Sequence, residues 1–328
     1  MSSVLLDVQP FAGQHCETTA TGTLMNAIGI ALSEPMLFGL GEGLSFIYWN
    51  MKTMDSPFFG GRIKPDGITQ NLAKNLGLTL GVKETSSVSK AWNNVKTKID
   101  AGVPVGLKLD CYHLDYFTVK IHFAGHYVAM IGYDDTYAYL IDTDLQRVKT
   151  TLQSLALARN ETGPMSSKNL SYTIGKGIGD VDIKAAVAAA IRANAQAYLN
   201  PPITNISYKG ILKASQEIKK WFRSSKSIEA EFSQAAMLME EGGTGGAIFR
   251  NLYRDFLGES AVLLKNDSIA ESYQLFCVIA PLWSNVAELF RQTAQTQSAE
   301  PVNQASDILA ELSDMEKRAM GLLSGISA

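Results

Sequence analysis

Gln14-His15-Cys16-Glu17-Thr18-Thr19-Ala20 is the stretch on which the reading of this chain turns: an extended N-terminal segment becomes a helix here, with a cysteine in its first turn. Downstream, Leu24, Ile28, Ala31 and Leu32 recur at helical spacing, with Thr18, Thr19 and Asn26 between them. A thiol at a helix N-terminus faces backbone N–H groups without intrahelical partners and the positive end of the helix dipole, surroundings that favour a thiolate. It becomes a catalytic nucleophile only with a base beside it. Far along the chain, Gly125-His126-Tyr127-Val128-Ala129-Met130-Ile131-Gly132-Tyr133 reads as a strand opening on a histidine. Tyr139-Leu140-Ile141-Asp142 reads as the next strand, ending on an aspartate.

Singly, each residue has an ordinary explanation. A lone cysteine is commonly a small buried hydrophobe, a histidine on a strand a satisfied core group, and an aspartate at a strand end a turn former. Together, in the order Cys, His, Asp, they are the set a thiol nucleophile needs: Cys16 to attack, His126 to move the proton, Asp142 to orient the ring.

The composition is that of a globular chain, with 46% hydrophobic and 19% charged residues over 328 positions, long enough for two cores. A net charge of −3 gives no reason to expect nucleic acid as a partner. Cys16, Cys111 and Cys277 are odd in number and far apart, which excludes a disulfide framework and fits a reducing compartment. With no leader-like start and no apolar run of the ~20 residues a membrane span needs, the expected location is the cytoplasm, away from the membrane.

The pattern then runs from helices to strands and back to helices. Ser33-Glu34-Pro35 opens a second helix, and glycines at 39, 41 and 43 read as a tight loop rather than a phosphate cradle. Asp66 to Leu76 and Val88 to Ala101 are helical, each closed by a glycine, and Pro104 to Asp110 alternates like a strand. Helices first and antiparallel strands second make an α+β domain over residues 1–158. A glycine- and serine-rich linker with room for an extra strand, Leu170 to Ile174, covers 159–180, and a helical domain covers 181–328. The aromatic-rich link from Tyr112 to Phe123 holds His113 and His122 near Cys111, but the spacing fits no standard zinc arrangement and no metal is expected. Glu34 beside the glycine loop, His15 next to the cysteine and Arg250 in the helical half are candidates to line a substrate pocket. The ordinary alternatives are an exposed carboxylate, and an arginine paired with Asp255 or Glu259.

The Cys16, His126 and Asp142 stretches, with Ser33-Glu34-Pro35-Met36-Leu37-Phe38-Gly39-Leu40-Gly41, resemble the butirosin-biosynthesis protein H family. Its N-terminal domain is in turn similar to papain-like, bacteriocin-processing peptidases. The helical half looks like the family's companion domain, chiefly through Gly245-Gly246-Ala247-Ile248-Phe249-Arg250-Asn251-Leu252-Tyr253-Arg254-Asp255-Phe256-Leu257. The resemblance implies a papain-like cysteine-peptidase-type domain followed by an all-helical one. It implies acyl transfer in antibiotic biosynthesis, from a carrier-protein thioester to an amine, with Cys16 as nucleophile, His126 as base and Asp142 orienting it. Papain-like peptidases place an oxyanion-donating glutamine a few residues before the cysteine; Gln9 and Gln14 are the candidates here, neither at quite that distance. The implied partners are an acyl or peptidyl carrier protein and a small amine, with no cofactor beyond the phosphopantetheine arm of the carrier; nothing in the chain sets an oligomeric state. The same residues would equally serve an amidase or peptidase, or stand inert in a binding module.

Overall fold

Two strands that are buried along their whole length, residues 105–109 and 126–133, lie next to each other inside an antiparallel sheet, because apolar side chains cover both their faces. The computed structural model describes residues 3–51, 54–144, 146–163, 165–179 and 181–326. The chain divides into two units, Met1–Leu37 with Thr69–Asp180, and Phe38–Ile68 with Val181–Ala328. In chain order the elements are β1 (Val4–Leu5), α1 (Cys16–Ala27), α2 (Glu34–Leu40), β2 (Leu44–Trp49), β3 (Phe58–Arg62), α3 (Gly67–Asn75), β4 (Thr79–Lys83), α4 (Val88–Asp100), β5 (Val105–Leu109), β6 (His126–Tyr133), β7 (Tyr137–Asp142), β8 (Gln146–Thr151), α5 (Leu152–Arg159) and β9 (Ser171–Gly175). The helices α6 (Ile183–Leu199), α7 (Ser207–Ser224), α8 (Ile228–Glu240), α9 (Arg250–Leu264), α10 (Asp267–Thr296) and α11 (Ala299–Leu323) follow. No helix among the described residues is long and apolar enough to cross a membrane.

In the first unit the strand order is β4-β9-β5-β6-β7-β8, with β1 added on β6, and every pairing is antiparallel. Val128 and Met130 of β6 join Leu107, Leu140 and, from α4 and α5, Val95, Ile99, Leu155 and Ala158 in one buried core. Helix α1 packs on β5, β6, β7 and β9 and is buried from Cys16 to Met25, which explains its threonines and Glu17. Their polar atoms form a chain inside the unit. Glu17 accepts from the Thr69 N–H (3.0 Å) and hydroxyl (3.1 Å), Thr69 meets Thr21 (2.8 Å), and Thr21 meets the Tyr172 hydroxyl (3.0 Å). Tyr172 reaches Thr21 because its ring lies over Gly106, where a Cβ would stand 2.1 Å from Cζ.

Residues 38–68 cluster with the helical half, not with the sheet domain expected over 1–158. The physical reason is β2, whose Leu44 carbonyl receives the Asn194 amide of α6 at 2.9 Å and which packs on α7 beside its partner β3. The segment expected as a linker over 159–180 likewise carries β9, which pairs with both β4 and β5 and so belongs to the sheet; Asp180 lies outside the described residues. The region after residue 180 is helical, with side-chain caps at Asp182, Ser227, Asn266 and Ser298. The spacing of Ile248, Leu252 and Phe256 predicts a helix from Gly246, but it starts instead at Arg250, because Ala247, Ile248 and Phe249 form a separate turn with φ of 49°, 46° and 74°. Ile248 therefore stands outside the helical stripe with Leu252 and Phe256.

Candidate active site

Cys16 is the first residue of α1, and His15 before it has the extended backbone of an N-cap (φ −100°, ψ 131°) without a side-chain cap of its own. Glu34, 19 residues further along the chain, takes over that role. Its carboxylate accepts the N–H of Gln14 (2.9 and 3.0 Å to its two oxygens), the N–H of His15 (2.9 Å) and the hydroxyl of Thr18 (2.7 Å). A carboxylate at this end of a helix satisfies donors that the helix leaves open and complements its dipole. Glu34 thus fixes the turn that presents Cys16, and Cys16 itself is buried at 7% exposure.

The sheet supplies the other two groups. Ala129 pairs with Ile141 across β6 and β7, and continuing that register sets Asp142 opposite Val128, one diagonal step from His126 on the same face. The two side chains meet there, His126 Nε2 to Asp142 Oδ2 at 2.8 Å. The Cys16 side chain is hydrogen-bonded to His126. Asp142 and Cys16 thus both address the one imidazole, the carboxylate through Nε2. The structure therefore brings together Cys16, His126 and Asp142, which the sequence scatters over 127 positions.

Burial of His126 opposes its positive charge, but the Asp142 carboxylate and the Cys16 sulfur outweigh that and raise its pKa well above the ordinary histidine value. Asp142 is fully buried, which by itself disfavours the carboxylate; His126, the Tyr116 hydroxyl and the Thr143 N–H reverse this and hold its pKa below the usual range. Tyr116 donates to Oδ2 at 2.8 Å and Thr143 N to Oδ1 at 2.8 Å. Phe117 sets the edge of its ring against His126, 5.6 Å between centroids and 80° between planes.

Nothing in the sequence marks Tyr116, Phe117 or Thr143 individually. Their only sequence signal is the aromatic density between Tyr112 and Phe123, which brackets the histidines but gives no direction.

The remaining candidates sit elsewhere or do other work. Gln9 and Gln14 are both exposed, and they enter the local bonding through the main chain, the Gln9 carbonyl accepting from Asn26 Nδ2 (3.2 Å) and the Gln14 N–H going to Glu34. His15 is buried as the N-cap residue, and Glu34 serves the helix start rather than a pocket wall. Arg250 lies in the helical unit at 0% exposure, forked onto Glu316 (Nε–Oε1 2.9 Å, Nη2–Oε2 3.0 Å). It also donates to the carbonyls of Ile248 (2.8 Å) and Gly61 (3.3 Å) and stacks over Trp283. Its expected place in a substrate pocket is thus taken by a core ion pair, and its partner is Glu316, not Asp255 or Glu259. Arg254 is the one that pairs with Asp255. The same unit holds a cavity of about 430 Å³ lined by Tyr48, Lys213, Glu217, Lys220, Trp221 and Glu231 among others.

Residues 15–143 match the family model described as butirosin biosynthesis protein H, N-terminal, and residues 153–323 match a domain of unknown function, DUF4872. No curated protein matches the chain. The first match ends one residue after Asp142 and begins one before Cys16, so it spans the three clustered side chains. The second match covers just over half of the sequence, so the chain belongs to the family of that domain of unknown function, and ahead of it the chain carries a match to the butirosin biosynthesis protein H N-terminal domain.

Proposed function

We propose that the chain is a cysteine-dependent acyltransferase of antibiotic biosynthesis, moving an acyl group from a carrier-protein thioester to an amine. The observation that carries this reading is the Cys16–His126–Asp142 cluster, in which one imidazole meets a buried carboxylate at Nε2 and the side chain of the helix-initiating cysteine. Cys16 Sγ attacks the thioester carbonyl, and the oxyanion of the tetrahedral intermediate is received by main-chain N–H groups at the start of α1. The carrier's phosphopantetheine thiol leaves, taking a proton from His126, and an acyl-enzyme remains. An amine then attacks the acyl carbonyl, gives its proton to His126 and departs as the amide, freeing Cys16. Thioester to amide is downhill, so the cycle needs no nucleotide. Asp142, held by Tyr116 and Thr143, keeps the ring in the orientation that the proton transfers require. The basic group Lys219, Lys220, Arg223 and Lys226 is the proposed landing surface for an acidic carrier protein, though Lys219 and Lys226 have Asp307 and Asp55 at 3.9 Å.

Intact-mass measurement after mixing the protein with acyl-loaded carrier tests the reading. The expected result is an adduct of one acyl group on the wild type, none on Cys16→Ala, and discharge to an amide when an amine is added. Full turnover by Cys16→Ala ends the proposal, and discharge only to the free acid makes the protein a hydrolase instead.

A further inference from the structure

A second cluster of chemically able side chains lies at the mouth of the aromatic link, and the three catalytic candidates take no part in it. One ligand atom from each of His113, His122 and Glu161 lies within 4.8 Å of the others. We propose that these three residues form a site for a divalent transition-metal ion of the zinc class, which clasps the link between β5 and β6. The set of two imidazoles and a carboxylate suits a borderline ion such as zinc rather than calcium or magnesium, which prefer all-oxygen surroundings.

The groups are already arranged as ligands and their supports usually are. His113 Nε2 stands 2.8 Å from Glu161 Oε2. His122 Nδ1 is 3.0 Å from Oδ2 of Asp110, a carboxylate 1% exposed and pinned by the N–H groups of Tyr112 (2.9 Å) and Phe123 (3.0 Å). A carboxylate on one ring nitrogen leaves the other with the lone pair that a metal takes, and it fixes the plane of the ring. Tyr112 stacks on the same ring, 3.9 Å between centroids and 9° between planes. A tetrahedral ion with bonds of about 2.1 Å keeps its ligands about 3.4 Å apart, so the side chains have to adjust by only about an ångström. His122 is exposed and His113 and Glu161 are partly so, which gives the ion a way in and leaves a fourth position for water.

The consequence is mechanical. His113 and His122 stand at the two ends of the link that puts Tyr116 on Asp142 and Phe117 on His126. Tying both ends to Glu161, just past α5, holds that link in place. Spacing along the chain could not show this, because Glu161 is 48 residues from His113.

The test is independent of any acyl transfer. The full chain, with Cys16→Ser to remove a competing thiol, is stripped by a chelator and titrated with zinc chloride against a chromogenic chelator. The expected result is one zinc per chain, with affinity falling at least about tenfold in His122→Ala and in Glu161→Gln. His122 is solvent-facing, so the first variant keeps its fold, which far-ultraviolet circular dichroism verifies. Zinc should also slow proteolytic cutting between Leu114 and Phe123 in the parent and leave it unchanged in both variants. Absence of stoichiometric zinc, or equal affinity in parent and variants, overturns the proposal.

Discussion

Tyr116 places its hydroxyl on Asp142 Oδ2, the same carboxylate oxygen that His126 Nε2 contacts, and both distances are 2.8 Å. The aspartate is thus held by a residue from the link before β6 as well as by the imidazole that it orients. Tyr116→Phe removes a donor from a buried anion. A hydrogen bond to a charged group contributes about 1.5–3 kcal/mol, so the variant should lose stability in that range by urea denaturation. Acyl-enzyme formation should slow while Cys16 stays alkylatable.

The pH dependence follows from opposite shifts in one pair. The Asp142 pKa is lowered, so its contribution to stability is present above the ordinary ~3.9 and is lost as pH falls through the folded value. The His126 pKa is raised, so its contribution is complete below the ordinary ~6.5 and is lost as pH rises through the folded value. The pair stabilises the unit most between about pH 4 and 6.5. Activity that depends on protonated His126 should persist above that window. In Asp142→Asn the largest raising influence on the ring is gone, and the alkaline limb of the rate profile should move to lower pH. An unmoved limb would show that His126 is not the titrating group.

Glu34 tests whether the helix start is built from outside. Glu34→Ala leaves the N–H groups of Gln14 and His15 and the hydroxyl of Thr18 without their acceptor. Loss of a cap-like carboxylate should cost about 1–2 kcal/mol. Because the turn that presents Cys16 loosens, iodoacetamide should modify this cysteine at a changed rate while Cys277 reacts as before. Equal Cys16 rates in both proteins would reduce Glu34 to a surface residue.

Arg250 and Glu316 make the corresponding prediction for the helical unit. Trp283 Nε1 (2.6 Å) and the Tyr198 hydroxyl also bond to Glu316, so its removal strands a guanidinium at 0% exposure. Glu316→Ala should destabilise the protein by about 3–5 kcal/mol in urea unfolding. A double change to methionine and leucine should cost less, because no unpaired charge stays buried.

Much of the candidate site's local structure is legible in the sequence. A helix beginning at Cys16, a strand beginning at His126 and a strand ending at Asp142 all follow from local periodicity and from turn residues at Asp134-Asp135-Thr136. Two weaker strands have no clear local signal, for a physical reason. β4 and β8 are largely exposed, so their identity comes from the neighbours they pair with rather than from their own side chains, whereas β9 lies where the strand Leu170 to Ile174 is expected.

By itself the sequence determined the longer helices and the strands that carry His126 and Asp142, and it set the three candidate side chains at element ends, because hydrophobic period and capping act within a few residues. Tertiary structure alone decided that residues 38–68 join the helices, that Glu34 rather than a glutamine attends the Cys16 turn, that Tyr116 steadies Asp142, that Arg250 is sealed against Glu316 and that Glu161 meets two histidines. Each of these joins residues at least 16 positions apart, and no local pattern encodes a partner at that distance. Such contacts form only once the packed core has fixed which faces look at each other.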